Sequence, residues 1–219
     1  MKAFIALALA TAAAASHAAL YDLTTDFSIT NGNPNGVWSY GYRPTLTGAR
    51  VLYSATATGS GIDSWYTPGI SGDATPSVFK RTGTGANGVA QGQTAMHSGP
   101  NGEYSSLLFT APVSGLLTLS SSYGVGDIGA VSIDVRYKGV PVYSKASTNS
   151  AESFAITTPV AVMAGDTLEV LIGTGDGSYA FDSTPVAATI TIAQPVPEPA
   201  TLAILGVGAA TLLRRRRKA

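Results

Sequence analysis

Hydrophobic and polar residues alternate most regularly from residue 130 to residue 138. The apolar positions of this stretch are Val131, Ile133, Val135 and Tyr137. The polar positions are Ser132, Asp134, Arg136 and Lys138. Because side chains of an extended chain alternate between its two sides, this period of two predicts a half-buried β-strand. Gly139 then turns the chain, and Pro141 in the returning segment favours an edge or bulge position, since proline has no N–H for a central ladder.

Other short runs of the body have the same character. Strands are predicted at 21–29, 51–57, 104–109, 116–120, 153–157, 167–172 and 187–192. Clusters rich in Gly, Asn, Asp and Thr separate many of them, as at 31–36, 82–88 and 173–177. No stretch of the body shows an apolar period of 3.6 residues with helix caps over three turns. The pattern predicts an all-β fold, a single antiparallel β-sandwich of jelly-roll type with about eight to ten strands.

The segment 59–97 has few long apolar runs, and we expect it to form long loops over one end of the sandwich. Within it, Trp65 and Tyr66 follow a Gly- and Ser-rich stretch and are predicted to be exposed.

Aromatic residues supply the candidate binding sites. Trp38, Tyr40 and Tyr42 are spaced by two, so a strand would place all three on one face. Such a row can stack on the apolar faces of sugar rings while a neighbouring amide bonds their hydroxyls. The same spacing also suits rings that fill the core of a sandwich. The ligand-binding candidates are Asn35, Trp38, Tyr40, Tyr42, Trp65 and Tyr66.

The two ends of the chain differ from this body. Met1 and Lys2 precede an apolar, alanine-rich run, and small residues at 16 and 18 mark a cleavage site. This order predicts a signal peptide over residues 1–18, with the Sec translocon and signal peptidase as partners. The β-sandwich domain is then predicted over 19–194.

The charge of the body changes once the ends are set aside. Residues 19–195 hold seven basic and twelve acidic residues, a net charge of −5, whereas the whole chain is neutral. The acidic body disfavours nucleic acid as a partner, because phosphate binding depends on Lys and Arg. Cysteine is absent, so stability must come from a packed core rather than from disulfides.

Catalytic signals are weak in the body. His97 is the one histidine beyond residue 17, and neither a Gly-x-Ser-x-Gly elbow nor a His-Glu-x-x-His run accompanies it. We expect His97 to be a turn residue whose side chain bonds Glu103 or the backbone. Asp176 and Asp182 bracket a Gly-rich loop that could hold Ca²⁺ through its oxygens, although the alternating acidic pattern of a calcium loop is missing. The sequence predicts no catalytic residue, no other cofactor and no enzyme.

The C-terminal segment 195–219 has three parts. Pro197, Glu198 and Pro199 form a stiff, extended and charged boundary, because each proline fixes φ and lacks an N–H. Fourteen uncharged residues follow at 200–213, about 21 Å as a helix. A basic block then comes at Arg214, Arg215, Arg216 and Arg217. The apolar run is short for a membrane span, but snorkelling arginines lengthen it and act as a stop-transfer signal.

This tail resembles the PEP-CTERM sorting signal, also known as an ice-binding-protein C-terminal domain. The resemblance rests on Val196, Pro197, Glu198 and Pro199, the apolar helix 200–213 and the arginine cluster. It implies a transient inner-membrane anchor that exosortase recognises and removes near the Pro-Glu-Pro element. It also implies a Gram-negative host that makes extracellular polysaccharide. In the body, segments 33–41, 97–104 and 109–115 are similar to a β-sandwich domain that recurs in such exported proteins, although His97 is followed by Ser where those domains commonly have Pro.

These observations predict an exported protein of the cell surface, outer membrane or extracellular matrix. Its expected role is structural or carbohydrate-binding, with extracellular polysaccharide as a partner. A small secreted glycan-active hydrolase is the alternative, and it requires two carboxylates in one cleft. An ice-binding protein requires a flat face of regularly spaced threonines, and the threonines here do not follow such a spacing.

Overall fold

The computed structural model describes residues 18–194, and nearly all of its regular structure is β. The first seven strands are β1 (Ala18–Asp22), β2 (Trp38–Arg43), β3 (Val51–Leu52), β4 (Ala55–Gly59), β5 (Ile62–Tyr66), β6 (Ser77–Arg81) and β7 (Thr94–His97). The other seven are β8 (Tyr104–Thr110), β9 (Gly115–Tyr123), β10 (Val131–Tyr137), β11 (Val140–Thr148), β12 (Glu152–Val162), β13 (Thr167–Thr174) and β14 (Thr184–Ala193). A single helical turn, α1 (Leu23–Asp26), follows β1, and its N-cap Asp22 accepts a hydrogen bond from the Thr25 N–H.

The strands form two antiparallel sheets that pack as a sandwich. The first sheet has eight strands in the order β12-β9-β14-β7-β6-β5-β4, and β1 also pairs with β14. The second sheet has six strands in the order β11-β10-β13-β8-β2-β3. The predicted all-β sandwich is therefore confirmed.

Alternation along each strand separates the core from the outer faces. In β9, for example, Leu117, Leu119 and Tyr123 are buried, whereas Leu116 and Ser120 are exposed. The inner faces meet in one main cluster of aliphatic and aromatic side chains. Its largest fully buried members include Trp38, Tyr40, Tyr123, Phe109, Leu107 and Ile172. This core forms without disulfides, since the chain has no cysteine.

Strand β10 corrects one expectation about burial. The strand lies where the alternation predicts it, but the prediction that it is half-buried is wrong. The outer side of the strand carries Ser132, Asp134 and Arg136. Each of these residues is only 6–8% exposed. They tolerate burial because Asp134 pairs with Arg136 and also accepts a hydrogen bond from Ser144. Pro141 lies on edge strand β11 beside a register shift, as its chemistry predicts.

The outer face of the six-stranded sheet carries a second buried charge cluster. Both oxygens of Glu169 accept hydrogen bonds from the Arg43 guanidinium, at 2.9 and 2.8 Å. Ser106 donates to the same carboxylate at 2.6 Å, and Arg50 lies 3.7 Å from it. The loop between β2 and β3 carries Arg50 over this face, where its guanidinium also donates to the Ser39 carbonyl.

Two local predictions are wrong. Residues 21–29 do not form one strand, because the Asp22 side chain caps α1 and ends β1. Segment 59–97 is not mainly loop, because it contributes β5, β6 and β7 to the eight-stranded sheet. These strands have short and mixed sequences, and loops 67–76 and 82–93 connect them.

The predicted signal peptide, apart from Ala18, and the predicted C-terminal helix and arginine block lie outside the described residues. Within 18–194 no helix is long and apolar enough to span a bilayer. Ala18 is the first residue of β1 and pairs with Ala193, the last residue of β14. The two ends of the described chain therefore lie side by side.

Candidate functional site

The main candidate site is a pocket of about 320 Å³ on the outer face of β5, β6 and β7. We call it the loop pocket, and we define it by Asp73, Arg81, Asn87, His97, Asp127 and Phe181. Loops 67–76, 82–93, 124–130 and 175–183 supply most of its walls, and the strands supply its floor. It therefore joins parts of the chain that are far apart in sequence.

The floor follows from strand alternation. Trp65, Val78 and Met96 point from β5, β6 and β7 into the main core. Residues 77, 79 and 81 of β6 alternate with Val78 and point to the outer face of the sheet. Phe79 and Arg81 therefore line the loop pocket. Phe79 also packs with Val89 and Ala95 in a small second core under loop 82–93. The pocket thus rests on a packed base.

Two titratable side chains of the pocket have shifted pKa values. Burial lowers the pKa of His97, whose Nδ1 lies 2.8 Å from the Ser98 carbonyl oxygen. The ring is therefore neutral at pH 7, and the Tyr179 ring meets it edge-on with 6.2 Å between centroids. Burial opposes ionisation of Asp73, but hydrogen bonds from Ser71 and Thr75 outweigh it and lower its pKa. Asp73 is therefore an ionised acceptor.

Arg81 has an unused donor. Its side chain is buried, with the residue 7% exposed, and its terminal nitrogens reach the carbonyls of Ser60 and Ala86 only at 3.3 Å. Its Nε has no hydrogen-bond partner among the described residues. Because buried donors in folded proteins are nearly always paired, this N–H indicates a place for a polar ligand group.

Backbone strain is concentrated around the pocket. Ala74, Asn87 and Phe181 all line it with φ values of 60°, 53° and 67°, in the left-handed region that non-glycine residues rarely adopt. Such strain costs energy and often occurs at functional sites. Phe181 is also 57% exposed at the pocket rim.

Backbone hydrogen bonds fix the loop that carries Phe181. The Gly129 N–H donates to the Phe181 carbonyl, and the Asp127 N–H donates to that of Ser183, both at 3.0 Å. Gly129 must be glycine, because a Cβ there would lie 2.7 Å from the Phe181 carbonyl oxygen. The two loops are therefore joined at close range.

Asp182 lies next to the pocket but does not line it. The residue is 1% exposed, and its Oδ2 accepts a hydrogen bond from Ser98 at 2.6 Å. Burial raises its pKa to about 6, and the nearby acids Asp176 and Asp127 add to the shift. Its Oδ1 has no partner among the described residues.

The predicted calcium ligands are not arranged as a metal cage. Asp176 is exposed and accepts a hydrogen bond from the Ser178 N–H, whereas Asp182 is buried. Residues 18–194 contain no group of three or more His, Asp or Glu side chains that could hold a metal ion. Calcium binding stays a prediction that this geometry does not favour.

The aromatic row on β2 faces the core rather than a ligand. Trp38, Tyr40 and Tyr42 do share one face, but Trp38 and Tyr40 are 1% and 0% exposed. Trp38 packs edge-on against Phe109 with its Nε1 donating to Asp26, and Tyr40 stacks on Trp65. The eight-stranded sheet covers Trp38 and Tyr40, so the core alternative of the sequence analysis describes these two residues.

The remaining candidates do not form a common site either. Trp65 is 7% exposed and its Nε1 donates to the Ser28 carbonyl, so its predicted exposure is wrong. It lies on the core side of β5, a strand that the sequence did not reveal. Tyr66 and Tyr42 are half-buried, and Tyr42 stacks on Tyr53. The Asn35 amide already donates to the Asp26 carbonyl at 2.6 Å.

Sequence reasoning missed the loop pocket itself. His97 is a pocket wall rather than a simple turn residue; it bonds the backbone as predicted, but Glu103 bonds Asn101 instead. One signal was available, because Tyr179 and Phe181 directly follow the Gly-rich cluster at 173–177. Aromatic residues beside such a cluster are candidates for exposed positions on a loop.

Comparison with known families concerns the C-terminal tail. Residues 195–218 match the family model of the PEP-CTERM protein-sorting motif. The chain therefore carries this sorting motif, which implies export, a membrane-anchored sorting intermediate and processing by exosortase. The matched residues, with Val196, Pro197, Glu198 and Pro199, lie outside the part that the structure describes. No curated protein matches the chain.

Among solved structures, the chain is similar to β-sandwich carbohydrate-binding modules. One is CBM51 from Clostridium perfringens GH95 in complex with methyl-galactose, with 16% identity over 65% of this chain and 93% of that chain and a TM-score of 0.33. A second is CBM51-2 with INT domains from Clostridium perfringens ZmpB, in complex with GlcNAc, with 12% identity over 65% of this chain and a TM-score of 0.37. The match covers 30% of that longer chain. A third is a family 35 carbohydrate-binding module from Clostridium thermocellum. It has 12% identity over 59% of this chain and 87% of that chain, and a TM-score of 0.29.

Proposed function

We propose that this protein is exported, sorted by exosortase to the cell surface or the extracellular matrix, and binds a neutral hexose unit of an extracellular polysaccharide in its loop pocket. The proposal rests on one observation: the pocket combines an exposed aromatic ring, Phe181, with a buried and unpaired guanidinium N–H, that of Arg81. Sec translocation and cleavage by signal peptidase after Ala18 belong to the same proposal.

The chemistry of the pocket suits a pyranose ring. A sugar presents an apolar C–H face, which an exposed ring such as Phe181 can cover, and a rim of hydroxyls. Carboxylates accept hydrogen bonds from hydroxyls, while the Asn87 amide and the Arg81 Nε–H donate to them. A volume of about 320 Å³ is at the small end of ligand sites and fits one or two sugar units.

The charge of the pocket favours a neutral sugar. Asp73 and Asp127 line it together with a single cation, Arg81, and His97 is neutral. An anionic sugar would meet two carboxylates at short range, and like charges in a partly buried site repel one another. A neutral hexose avoids this repulsion and uses the same carboxylates as acceptors.

The pocket acids support binding without catalysis. A glycosidase needs one carboxylic acid that keeps its proton at working pH, which requires a raised pKa. The pKa of Asp73 is instead lowered, and the acid with a raised pKa, Asp182, is held by Ser98 and does not line the pocket. We therefore prefer a binding protein to the hydrolase alternative.

Replacing Phe181 by Ala tests the binding proposal. We expect affinity for the bound hexose to fall about tenfold, because the stacking surface is lost. Calorimetric titration of the full chain with glucose, galactose, mannose and N-acetylglucosamine measures this. Met163→Ala is the matched control, since Met163 is 66% exposed in the turn between β12 and β13, outside the pocket. Equal affinity of the two variants, or no binding of any of these sugars, would contradict the proposal.

Mass spectrometry of the protein from its native host tests the sorting proposal. We expect a mature chain that begins at Ala19 and ends near the Pro-Glu-Pro element, without the arginine block 214–217. A variant with Pro197→Ala and Pro199→Ala should retain the arginines, because the extended boundary is lost. Recovery of the unaltered protein with its arginine terminus intact would replace the proposed route with a permanent tail anchor.

A further inference from the structure

A patch of apolar side chains lies at the end of the sandwich where the tail begins. We call it the tail-end patch, and we define it by Ala18, Leu20, Leu116, Ala161, Met163 and Ala193. The strand register places four of them side by side on the outer face of the eight-stranded sheet, in the pairs Ala161–Leu116, Leu116–Ala193 and Ala193–Ala18. Leu20 lies one row further along, opposite Thr191, and Met163 directly follows β12. All six residues therefore lie at one end of one sheet.

The three large side chains of the patch are exposed. Leu20 and Met163 are each 66% exposed, and Leu116 is 44% exposed. Alternation puts Leu20 and Leu116 on the outer face, because their neighbours Tyr21 and Leu117 point towards the core. Single apolar side chains are ordinary on a protein surface, but side chains that strand pairing gathers in one place indicate a contact surface.

The surroundings of the patch carry little free charge. The next outer-face positions of β9 and β14 are both threonines. Asp22 is the first charged residue along β1, and its carboxylate accepts a hydrogen bond from the Thr189 hydroxyl at 3.1 Å. At the edge of the patch, Asp166 forms an ion pair with Lys138 at 2.7 Å. The patch itself can therefore lose its water without burying a charge.

The tail determines what lies opposite the patch. Ala193 ends β14 and belongs to the patch, and the predicted membrane segment begins at Ala200. The chain between these two residues spans at most about 25 Å when fully extended. The headgroup layer of a bilayer is about 5–8 Å thick on each side of the hydrocarbon core. An anchored chain therefore holds the tail-end patch within reach of the membrane surface.

The distribution of charge turns the same end towards the membrane. The loops around the loop pocket, at the other end of β14, carry Asp73, Asp127, Asp176 and Asp182. A bilayer that contains anionic lipid repels these acids, whereas the ion pair of Lys138 and Asp166 at the tail end is neutral. Length of tether and charge thus favour the same orientation.

We propose that the tail-end patch rests in the headgroup region of the bilayer while the tail anchors the chain, with Leu20, Leu116 and Met163 as its lipid contacts. The proposal rests on the anchored intermediate of the sorting route and goes beyond it, because it gives the folded body a second, reversible membrane contact. Such a contact needs little affinity of its own, since the tether keeps the bilayer at high effective concentration. A second copy of the chain fits the patch less well, because a stable dimer buries about 800 Å² on each partner.

Site-specific fluorescence tests the contact. The chain has no cysteine, so the cysteine of Met163→Cys carries the only label. The anchored form, made in a Gram-negative host without exosortase, is reconstituted into vesicles of phosphatidylethanolamine and phosphatidylglycerol that contain lipid spin-labelled near the headgroup. We expect the label at 163 to lose emission, because apolar groups at the interface lie beside the spin label. Ile128→Cys is the matched control, since Ile128 is 81% exposed in loop 124–130 at the other end, and its label should keep its emission.

Two double variants separate contact from anchoring. The combination of Leu20→Ser and Leu116→Ser removes two of the lipid contacts, so it should restore the emission of the label at 163 without releasing the chain from the vesicles. The combination of Val125→Ser and Val142→Ser is the matched control, because these side chains are 50% and 40% exposed outside the patch. All four side chains are on the surface, so both double variants should fold. Flotation with the vesicles measures anchoring in each case.

The outcomes separate this contact from the sorting route itself. Quenching at 163 and not at 128, relieved by the leucine variants and not by the valine variants, supports the contact. Equal emission of the two labels in a chain that floats overturns the contact and leaves the anchor standing, and a second copy that covers the patch gives this result. Equal relief by both double variants also overturns the contact. A chain that does not float overturns the anchor and the contact together.

Discussion

Replacing Glu169 by Ala is expected to lower the free energy of unfolding by about 3–5 kcal/mol. Glu169 is 3% exposed, and its carboxylate binds the Arg43 guanidinium through two hydrogen bonds and accepts a third from Ser106. Arg50 lies 3.7 Å away. Removal of the carboxylate leaves two neighbouring guanidinium groups without their counter-charge in a largely buried site, and this desolvation penalty is the source of the loss.

Urea-induced unfolding of the full chain, followed by tryptophan fluorescence, measures this loss. Lys138→Ala serves as the control, because it removes an ion pair whose lysine side chain is 40% exposed. Exposed pairs contribute little, so the control should cost less than about 1 kcal/mol. If the two variants lose similar stability, the cluster around Glu169 does not act as a buried charge network.

Replacing Asp182 by Asn is expected to stabilise the protein at neutral pH by up to about 3 kcal/mol. Burial raises the pKa of Asp182 from 3.8 to about 6, so the folded state retains a proton that the unfolded state releases. The stability of the unaltered protein therefore falls as the pH rises from about 4 to about 6, and the penalty is complete above pH 6. Asn is uncharged at every pH and can still accept the hydrogen bond from Ser98.

Thermal unfolding of both proteins at pH 4 and pH 7 tests this prediction. The advantage of Asp182→Asn should be present at pH 7 and nearly absent at pH 4; the lowered pKa of His97 affects both proteins alike and cancels in the difference. Asp166→Asn is the control, and its effect on stability should have the opposite sign. A hydrogen bond from Lys138 lowers the pKa of Asp166, so the Asp166→Asn variant should be less stable than the unaltered protein at pH 7. A destabilised Asp182→Asn at pH 7 would refute the argument.

The sequence predicts strands well where one side of a strand is apolar and the other polar. Residues 130–138 are predicted as a strand and β10 spans Val131–Tyr137. Alternation shows which residues share a face, but it does not show what covers that face. The polar side of β10 is buried although Asp134 and Arg136 are charged, because the two residues neutralise each other within the strand and Ser144 of β11 bonds Asp134. The pair is visible in the sequence, but the cover over it comes from other segments, which alternation does not reveal.

The same limit explains the aromatic row on β2. Spacing places Trp38, Tyr40 and Tyr42 on one face, and the structure agrees. Whether that face meets a ligand or a second sheet is decided by the strands opposite, among them β5 and β6. These strands lie in segment 59–97, where polar residues of the outer face interrupt the apolar pattern. The loop pocket could not be predicted for the same reason, since its walls come from four separate loops.

Strand β14 links the two ends of the sandwich. It begins at Thr184, directly after Ser183 in the wall of the loop pocket, and it ends at Ala193, two residues before the sorting motif. At about 3.3 Å per residue, its ten residues separate the two by about 30 Å. In the proposed route, a newly exported molecule that is still anchored through its tail would hold the loop pocket away from the membrane, where the proposed sugar binding can begin before exosortase removes the anchor.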